Sequence, residues 1–587
     1  MSENKTWYNL HTLNLTWNNI GSNGATALSQ NKTWINIHTL SLSYNHIGDE
    51  CAAALSQNTS WTNLHTLDLS WNNIGSNVAG ALSQNTVWTN LHTLYLSNNN
   101  IGDKGAEALG KNTIWTNLHT LELSKNSIGD KGAVALGRNK IWINLHSLYL
   151  SNNNIGDEGA TKLSQNATWT NLHTFVVSFN MFGDKGAVAL GRNEAWTNLH
   201  TVYLSDNKIG DEGAVALSQN TVWTNLHGLG LAKNNIGDEG AVALSQNTTW
   251  TNLRALSLSW NKIGDKGIEA LSQNKVWTHL SSLYLSSNKF TQKGAEALSQ
   301  TKRWSKLQDL NLDKNYISSE GVKTLSKSQN SKNLKTLSLE NNQIGNEGWI
   351  GIQDNPWPEL KSLNLNMNGL NFVGLHIPPT SNWPNLIKLS LSNNSIGAEG
   401  ARYLTLVDHW RNLTELDLSY NQIQDGGAEA MSEGSSFPNL KSLNLNSNQI
   451  TVVGAKHLSL NKSWTKLVSL FLSWNKILPE GAISIVSNIR TWRNLTVLYL
   501  FEVGIEGDEK EKFLKEIGTK HAQISEKISR ADFFLADKPV ETLKINNCIS
   551  SCNEEHRNDC LNISGYIAES VVLVFDATRE PLKIGIY

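Results

Sequence analysis

Residues 88–114 read WTNLHTLYLSNNNIGDKGAEALGKNTI, and the opening tryptophan returns every 27 residues from Trp7 to Trp304, twelve times in register. Inside each unit runs L-x-x-L-x-L-x-x-N-x-I-G, seen here as Leu91, Leu94, Leu96, Asn99, Ile101 and Gly102. A fixed period of 20 to 29 residues carrying this pattern predicts a solenoid, in which each unit buries its apolar face only against its neighbours. The L-x-L step sends leucines inward and the alternate residues outward on a short strand, and successive strands stack into a parallel sheet. The following I-G-D-x-G-A-x-A-L predicts a turn and a short helix. Asp103 is expected as its N-cap, with Ala106 and Leu109 facing the core.

Two columns of this repeat read as structural. Asn99 belongs to a ladder from Asn18, Asn45 and Asn72 to Asn475, whose amides are suited to backbone groups left unpaired where the chain leaves the strand. The tryptophans are placed in the loop re-entering the strand, each indole packed on the next unit. After Asn330 the regularity falls away. Ser331 takes the tryptophan position, and Trp357, Trp383, Trp410, Phe437, Trp464 and Trp492 follow at spacings of 26, 26, 27, 27, 27 and 28, giving 19 repeats over residues 7–505. All nine prolines lie beyond residue 355, and Pro378-Pro379 forbids a regular helix in the repeat holding Asn371 to Asn382. Val503 replaces the ladder asparagine, so the array ends there. Residues 506–587 form a separate non-repeat region. It opens with an amphipathic helix over Glu509 to Ala531 that caps the last repeat, and ends with strand-like Ser570 to Phe575 and Leu582 to Tyr587.

Composition narrows the function. A formal net charge of −2 selects neither nucleic acid nor membrane as a partner. Four cysteines in 587 residues are no disulfide framework. The opening MSENKTWYNL has no basic segment followed by an apolar run, and no stretch approaches a membrane span. The sequons at Asn412-Leu413-Thr414 and Asn494-Leu495-Thr496 centre on core leucines, where a glycan would oppose stacking. Together these place the chain in the cytoplasm.

Chemistry-bearing residues are few. His11, His38, His65, His92, His119, His146, His173, His200 and His227 form one column, read as a structural polar ladder because ligands in a column diverge where a metal needs them to converge. Cys548, Cys552, His556 and Cys560 fall at intervals of four, a span too long for one ion on a straight helix. A zinc site there requires a bent segment. No phosphate loop, nucleophile elbow or zinc-protease motif occurs. No cofactor, metal or catalysis is expected.

The unit Asn99-Asn100-Ile101-Gly102-Asp103-Lys104-Gly105-Ala106 resembles the ribonuclease-inhibitor-like subfamily of leucine-rich repeats. That resemblance covers residues 7–505 and implies an α/β horseshoe with a concave parallel sheet and convex short helices. It also implies protein binding, the shared property of ribonuclease inhibitor, immune-receptor sensor regions, tropomodulin-like regulators and the Ran GTPase activator. Few cysteines and a uniform 27-residue unit separate the chain from ribonuclease inhibitor itself. A C-terminal region of mixed charge separates it from the acidic-tailed Ran activator. Function beyond binding does not transfer with the fold.

On the concave face, exposed aromatics are the residues expected to bind a protein partner. Trp17, Tyr44 and Trp71 share one column, with His46 beside them and a polar border at Asn98 and Lys125. A second group is Tyr95, Tyr149 and Tyr203, with Phe179 in a repeat between them. A third is Tyr420, Phe471, Trp474 and Tyr499. The expectation is thus a monomeric, non-catalytic scaffold. The alternatives are an effector whose activity lies in residues 506–587, and a GTPase activator of the Ran type.

Overall fold

A computed structural model describes residues 7–328, 330–354, 357–371, 383–406, 410–433, 437–487, 492, 494–495 and 497–501, and then strand segments 532–536, 570–574 and 585–586. Contacts divide the chain into two units, Met1–Tyr316 with Ser328–Ser331, and Ile317–Lys327 with Lys332–Tyr587. Each is a leucine-rich-repeat solenoid of parallel strands and short helices.

In the first unit twelve three-residue strands run from Thr12–Asn14 to Asp309–Asn311. They pair in parallel without slipping, Leu13 opposite Leu40, Leu67 and Leu94 in turn. A helix of eight or nine residues follows each of the first eleven strands, from Gly21–Ser29 to Gln292–Gln300. The helices are short because the asparagine and tryptophan loop must return the chain to the sheet within one period. Between sheet and helices lies the core: Leu91, Leu94, Leu96, Ile101, Ala106, Leu109 and Trp115 are all fully buried. Trp34 to Trp304 are buried likewise, whereas Trp7, which opens the array, is 39% exposed.

Asparagine does the polar work. Asn99 Nδ2 donates to the carbonyls of Leu69 and Leu96 at 3.0 and 2.9 Å. Its Oδ1 accepts the N–H groups of Asn72 and Ile74 at 3.0 and 2.9 Å. One amide therefore settles backbone groups of two repeats, as the sequence predicts. Two further asparagine ladders accompany it. Asn58 bridges the Ser29 carbonyl at the end of the preceding helix to the Trp61 N–H. Asn63 donates to the Ile35 carbonyl one repeat back.

Asp103 departs from expectation. It does not cap its own helix, Gly102–Gly110, which starts behind Ile101 with no side-chain cap. Its Oδ1 instead accepts the N–H groups of Gly129 and Gly132, at 2.7 and 2.8 Å, in the first turn of the next repeat's helix. Asp130, Asp157, Asp184, Asp211 and Asp238 repeat the arrangement one unit further each time. The first-turn glycine must stay small, since a Cβ on Gly132 would lie 2.8 Å from Ala106 Cβ and 2.9 Å from the Asp103 carboxylate. This inter-repeat cap also selects the turn. Where the preceding repeat supplies Asp, the residue before the helix is non-helical, as at Gly75, Gly129 and Thr451. Where it supplies Ser22, Ser76, Gln292, Ser319, Ala398 or Val452, the corresponding residue turns left-handed: Gly48, Gly102, Ser318, Gly345, Gln424 and Leu478.

The second unit continues the pattern with strands from Thr336–Ser338 to Val497–Phe501 and helices from Ser318–Ser326 to Leu478–Ser487. Strand Val497–Phe501 pairs with Ser469–Phe471 in parallel and with Ser570–Val574 in antiparallel fashion. Asp532–Ala536 extends that antiparallel pairing, and Gly585–Ile586 lies parallel to it. Strand character near 570 and 585 follows the sequence reading, while strand Asp532–Ala536 was not anticipated. The expected helix over Glu509 to Ala531, the Pro378-Pro379 segment, Val503 and the Cys548–Cys560 cluster lie outside the described residues.

Candidate functional site

The sheet's solvent face is built from the first and third residues of each strand, the residue two places on, and a fourth position next to that, while the middle strand residue is buried. The fourth is occupied by Trp17, Tyr44, Trp71, Asn98, Lys125, Asn152, Phe179, Asp206, Lys233, Trp260, Ser287 and Lys314 in the first unit. Every one has φ between 50° and 63°. Left-handed backbone is costly for a side-chain-bearing residue, and here it is imposed by the adjacent ladder asparagine, which fixes where the chain must turn. The residue's N–H still joins the sheet, Tyr44 N–H donating to the Ser70 carbonyl at 3.1 Å.

Trp17, Tyr44 and Trp71 come together as the sequence reading expects. Trp17 and Tyr44 stack with centroids 4.1 Å apart, and Tyr44 and Trp71 at 4.7 Å. Trp17 is 68% and Trp71 41% exposed. The polar border folds back onto the strip: Lys125 Nζ lies 5.5 Å from the Trp71 ring centroid, two repeats away. His46 is exposed in the turn two residues beyond Tyr44, also left-handed at φ 52°.

Tyr95, Tyr149 and Tyr203 occupy the third strand position, in register with Glu122 and Val176 between them. They do not form one stack. Burial raises the carboxyl pKa of Glu122, against the lowering effect of its hydrogen bonds with Ser124, whose N–H it accepts at 2.7 Å. Burial, with Asp68, Tyr149 and Glu122 nearby, also raises the Tyr95 phenol. Phe179 is not in this column. It stands in the left-handed one, beneath Lys233 Nζ at 5.6 Å. In the second unit Tyr420 and Trp474 are left-handed and 56% and 54% exposed, with Ser447 between them. Phe471 and Tyr499 stack at 4.8 Å in the strand column.

Sequence reasoning missed Trp260, 51% exposed, with Lys314 Nζ 5.8 Å from its ring. The signal was present as an aromatic followed by lysine 54 residues later, which also describes Trp71 with Lys125 and Phe179 with Lys233.

The histidine column lines a groove of about 890 Å³ together with Asn36, Asn63, Asn90 and their equivalents up to His200. From His38 to His227 the rings stack at 3.7 to 4.9 Å and within 17° of parallel. The rings do not share one orientation, since Nδ1 of His173 faces Thr174 Oγ1 at 3.3 Å while that of His200 faces the Asn198 carbonyl at 2.8 Å, and among the described residues no three metal-ligating side chains converge. Burial, reinforced by neighbouring imidazoles, lowers the pKa of His65, His92 and His146, and takes His119 and His173 to about 4.

The leucine rich repeat family model matches thirteen stretches between residues 9 and 404, and the two-copy leucine rich repeats model matches residues 411–451. The chain belongs to the leucine-rich-repeat family. Among solved structures it is similar to the ectodomain of the plant membrane receptor kinase GASSHO1/SCHENGEN3 from Arabidopsis thaliana, in complex with Casparian strip integrity factor 2. Identity is 19% over 85% of this chain and 68% of that one, with a TM-score of 0.38. The plant peptide hormone receptor RGFR1 in complex with RGF2 gives 17% over 84% and 86%, at 0.38. An internalin of Listeria monocytogenes gives 23% over 55% and 86%, also at 0.38. A search of curated proteins gave no match. Among the described residues no helix is long and apolar enough to cross a membrane.

Proposed function

We propose that the chain is a non-catalytic scaffold that holds another protein on the solvent face of its sheet. The stacked strip Trp17–Tyr44–Trp71 carries this reading. Large rings on rigid strands offer contact area at little cost in side-chain entropy, and an apolar patch with a polar rim is the anatomy of an interface centre. Tyr95, Tyr149, Tyr203, Tyr420, Phe471, Trp474, Tyr499 and His46 are secondary candidates on the same argument. The ribonuclease-inhibitor-like subfamily, a cytoplasmic setting, a monomeric state and a boundary near residue 505 belong to this proposal. The repeat unit, the cysteine usage and the sequon leucines support them. The core position of Leu413 makes glycosylation at Asn412 costly, and the Asn412 amide already donates to the Pro384 carbonyl at 2.8 Å.

A photo-crosslinking residue at Tyr44, with a control at the exposed Lys185 on helix Asp184–Gly191, tests the reading. A protein partner crosslinked from Tyr44 and not from Lys185 is expected. Crosslinking from Lys185 alone would move the interface to the helices and end the proposal.

A further inference from the structure

Five consecutive repeats each place one lysine beside the ladder asparagine: Lys208, Lys233, Lys262, Lys289 and Lys314. Lys233 and Lys314 take the left-handed position, and Lys208, Lys262 and Lys289 the position two residues on. With strands ~4.8 Å apart, the five define a track roughly 20 Å long. Along these two columns the first unit carries six lysines, counting Lys125, and a single carboxylate, Asp206. Asp206 pairs with Lys233 at 3.7 Å. Lys208, Lys262 and Lys289 are exposed and make no ion pair with any described residue. The aspartates that follow in sequence, Asp211, Asp238 and Asp265, accept backbone N–H groups of the next repeat.

A row of like charges is unfavourable to assemble, and an oppositely charged partner relieves it. We propose that this track is a docking surface for an acidic, extended peptide segment of a protein partner, lying across the strands from repeat 8 to repeat 12. The rings in the track argue for a peptide and against a single-stranded nucleic acid. Base binding needs successive open aromatic faces, whereas of the two rings in these columns Trp260 has the Lys314 ammonium 5.8 Å from its centroid, which leaves Tyr316, at the end of the track, as the one exposed ring without a lysine over it. The proposal rests on the sheet-face reading but uses a stretch of sheet separate from Trp17–Tyr44–Trp71.

The test is fluorescence anisotropy of a labelled peptide of alternating glutamate and leucine, titrated with the full chain and with a Lys208→Gln, Lys262→Gln, Lys289→Gln variant. A single-stranded oligonucleotide of equal length serves as the competing probe. Saturable peptide binding that weakens with salt is expected, falling about tenfold or more in the variant, while the oligonucleotide binds at least tenfold more weakly than the peptide. Because removing three unpaired like charges relieves repulsion, the variant's melting temperature should not fall. Absence of saturable peptide binding, an unchanged affinity in the variant, or an oligonucleotide binding as tightly as the peptide would each overturn the proposal. Crosslinking through Tyr44 would be unaffected by any of these, so the docking track and the sheet-face reading fail separately.

Discussion

The Asp103 carboxylate accepts the Gly129 N–H at 2.7 Å, across the boundary between two repeats. Helix N-terminal donors that are normally satisfied within a unit are here satisfied by the unit before. Stability is thereby shared between neighbours. Asp103→Ala should cost about 1–2 kcal/mol, read from urea unfolding of the N-terminal half. A loss no greater than that of Lys104→Ala, whose side chain sits one residue further along the same helix, would show that the cap contributes nothing.

The absent cap has its own signature. Ser76 replaces the aspartate that would serve the next turn, and Gly102 is left-handed at φ 57°. Gly102→Ala should therefore cost about 1 kcal/mol. Adding Ser76→Asp should offer Gly102 the extended conformation seen at Gly129, and the alanine penalty should shrink. Additive effects of the two substitutions in a double-mutant cycle would disprove this coupling.

Much of the fold was legible because a repeat shows its period, its inward leucines and its turn residues many times over. The cap was misread for a related reason. In a strictly periodic sequence, Asp103 stands at a fixed offset from its own helix and from the next, so spacing alone cannot assign the partner. The repeats that break the rule, at Ser22 and Ser76, are where the difference can be read. The site was legible in part. Strand alternation finds Tyr95 and Tyr149, and the repeat register finds Trp17, Tyr44 and Trp71, but neither shows that the latter position is left-handed. Trp260 escaped because its neighbours in the column are Lys233 and Ser287 and no aromatic run marks it, and its contact with Lys314 joins residues 54 apart that meet only through stacking of two repeats.

The histidine stack should make the first unit acid-sensitive. Folded-state pKa values lie below the ordinary 6.5, chiefly through burial, so the unfolded chain binds protons more readily. The contribution is fully present above pH 6.5 and is lost as pH falls from there toward 4. Replacing His92, His119, His146 and His173 by Gln should flatten the melting-temperature profile over that range. Parallel profiles for variant and parent would refute the assignment.

Glu122 predicts the opposite sign for a carboxyl. Burial raises its folded pKa above the unfolded value, so the ionised form disfavours folding at neutral pH and the penalty fades as pH falls through the folded pKa. Glu122→Gln keeps an acceptor for the Ser124 N–H and removes the charge. A higher melting temperature at pH 7, with the gain vanishing at low pH, is expected. A lower melting temperature at pH 7 would place a stabilising partner on the carboxylate.

The most direct test of the sheet face is Trp71→Ala, measured for partner affinity and for stability on the same protein. Trp71 is exposed on one side, stacks on Tyr44 and receives Lys125, so truncation opens no core cavity. Affinity for the partner captured through Tyr44 should fall by more than ~2 kcal/mol, with the melting temperature nearly unchanged. Unchanged affinity with a lowered melting temperature would contradict the account and make the strip a cap on the first repeats.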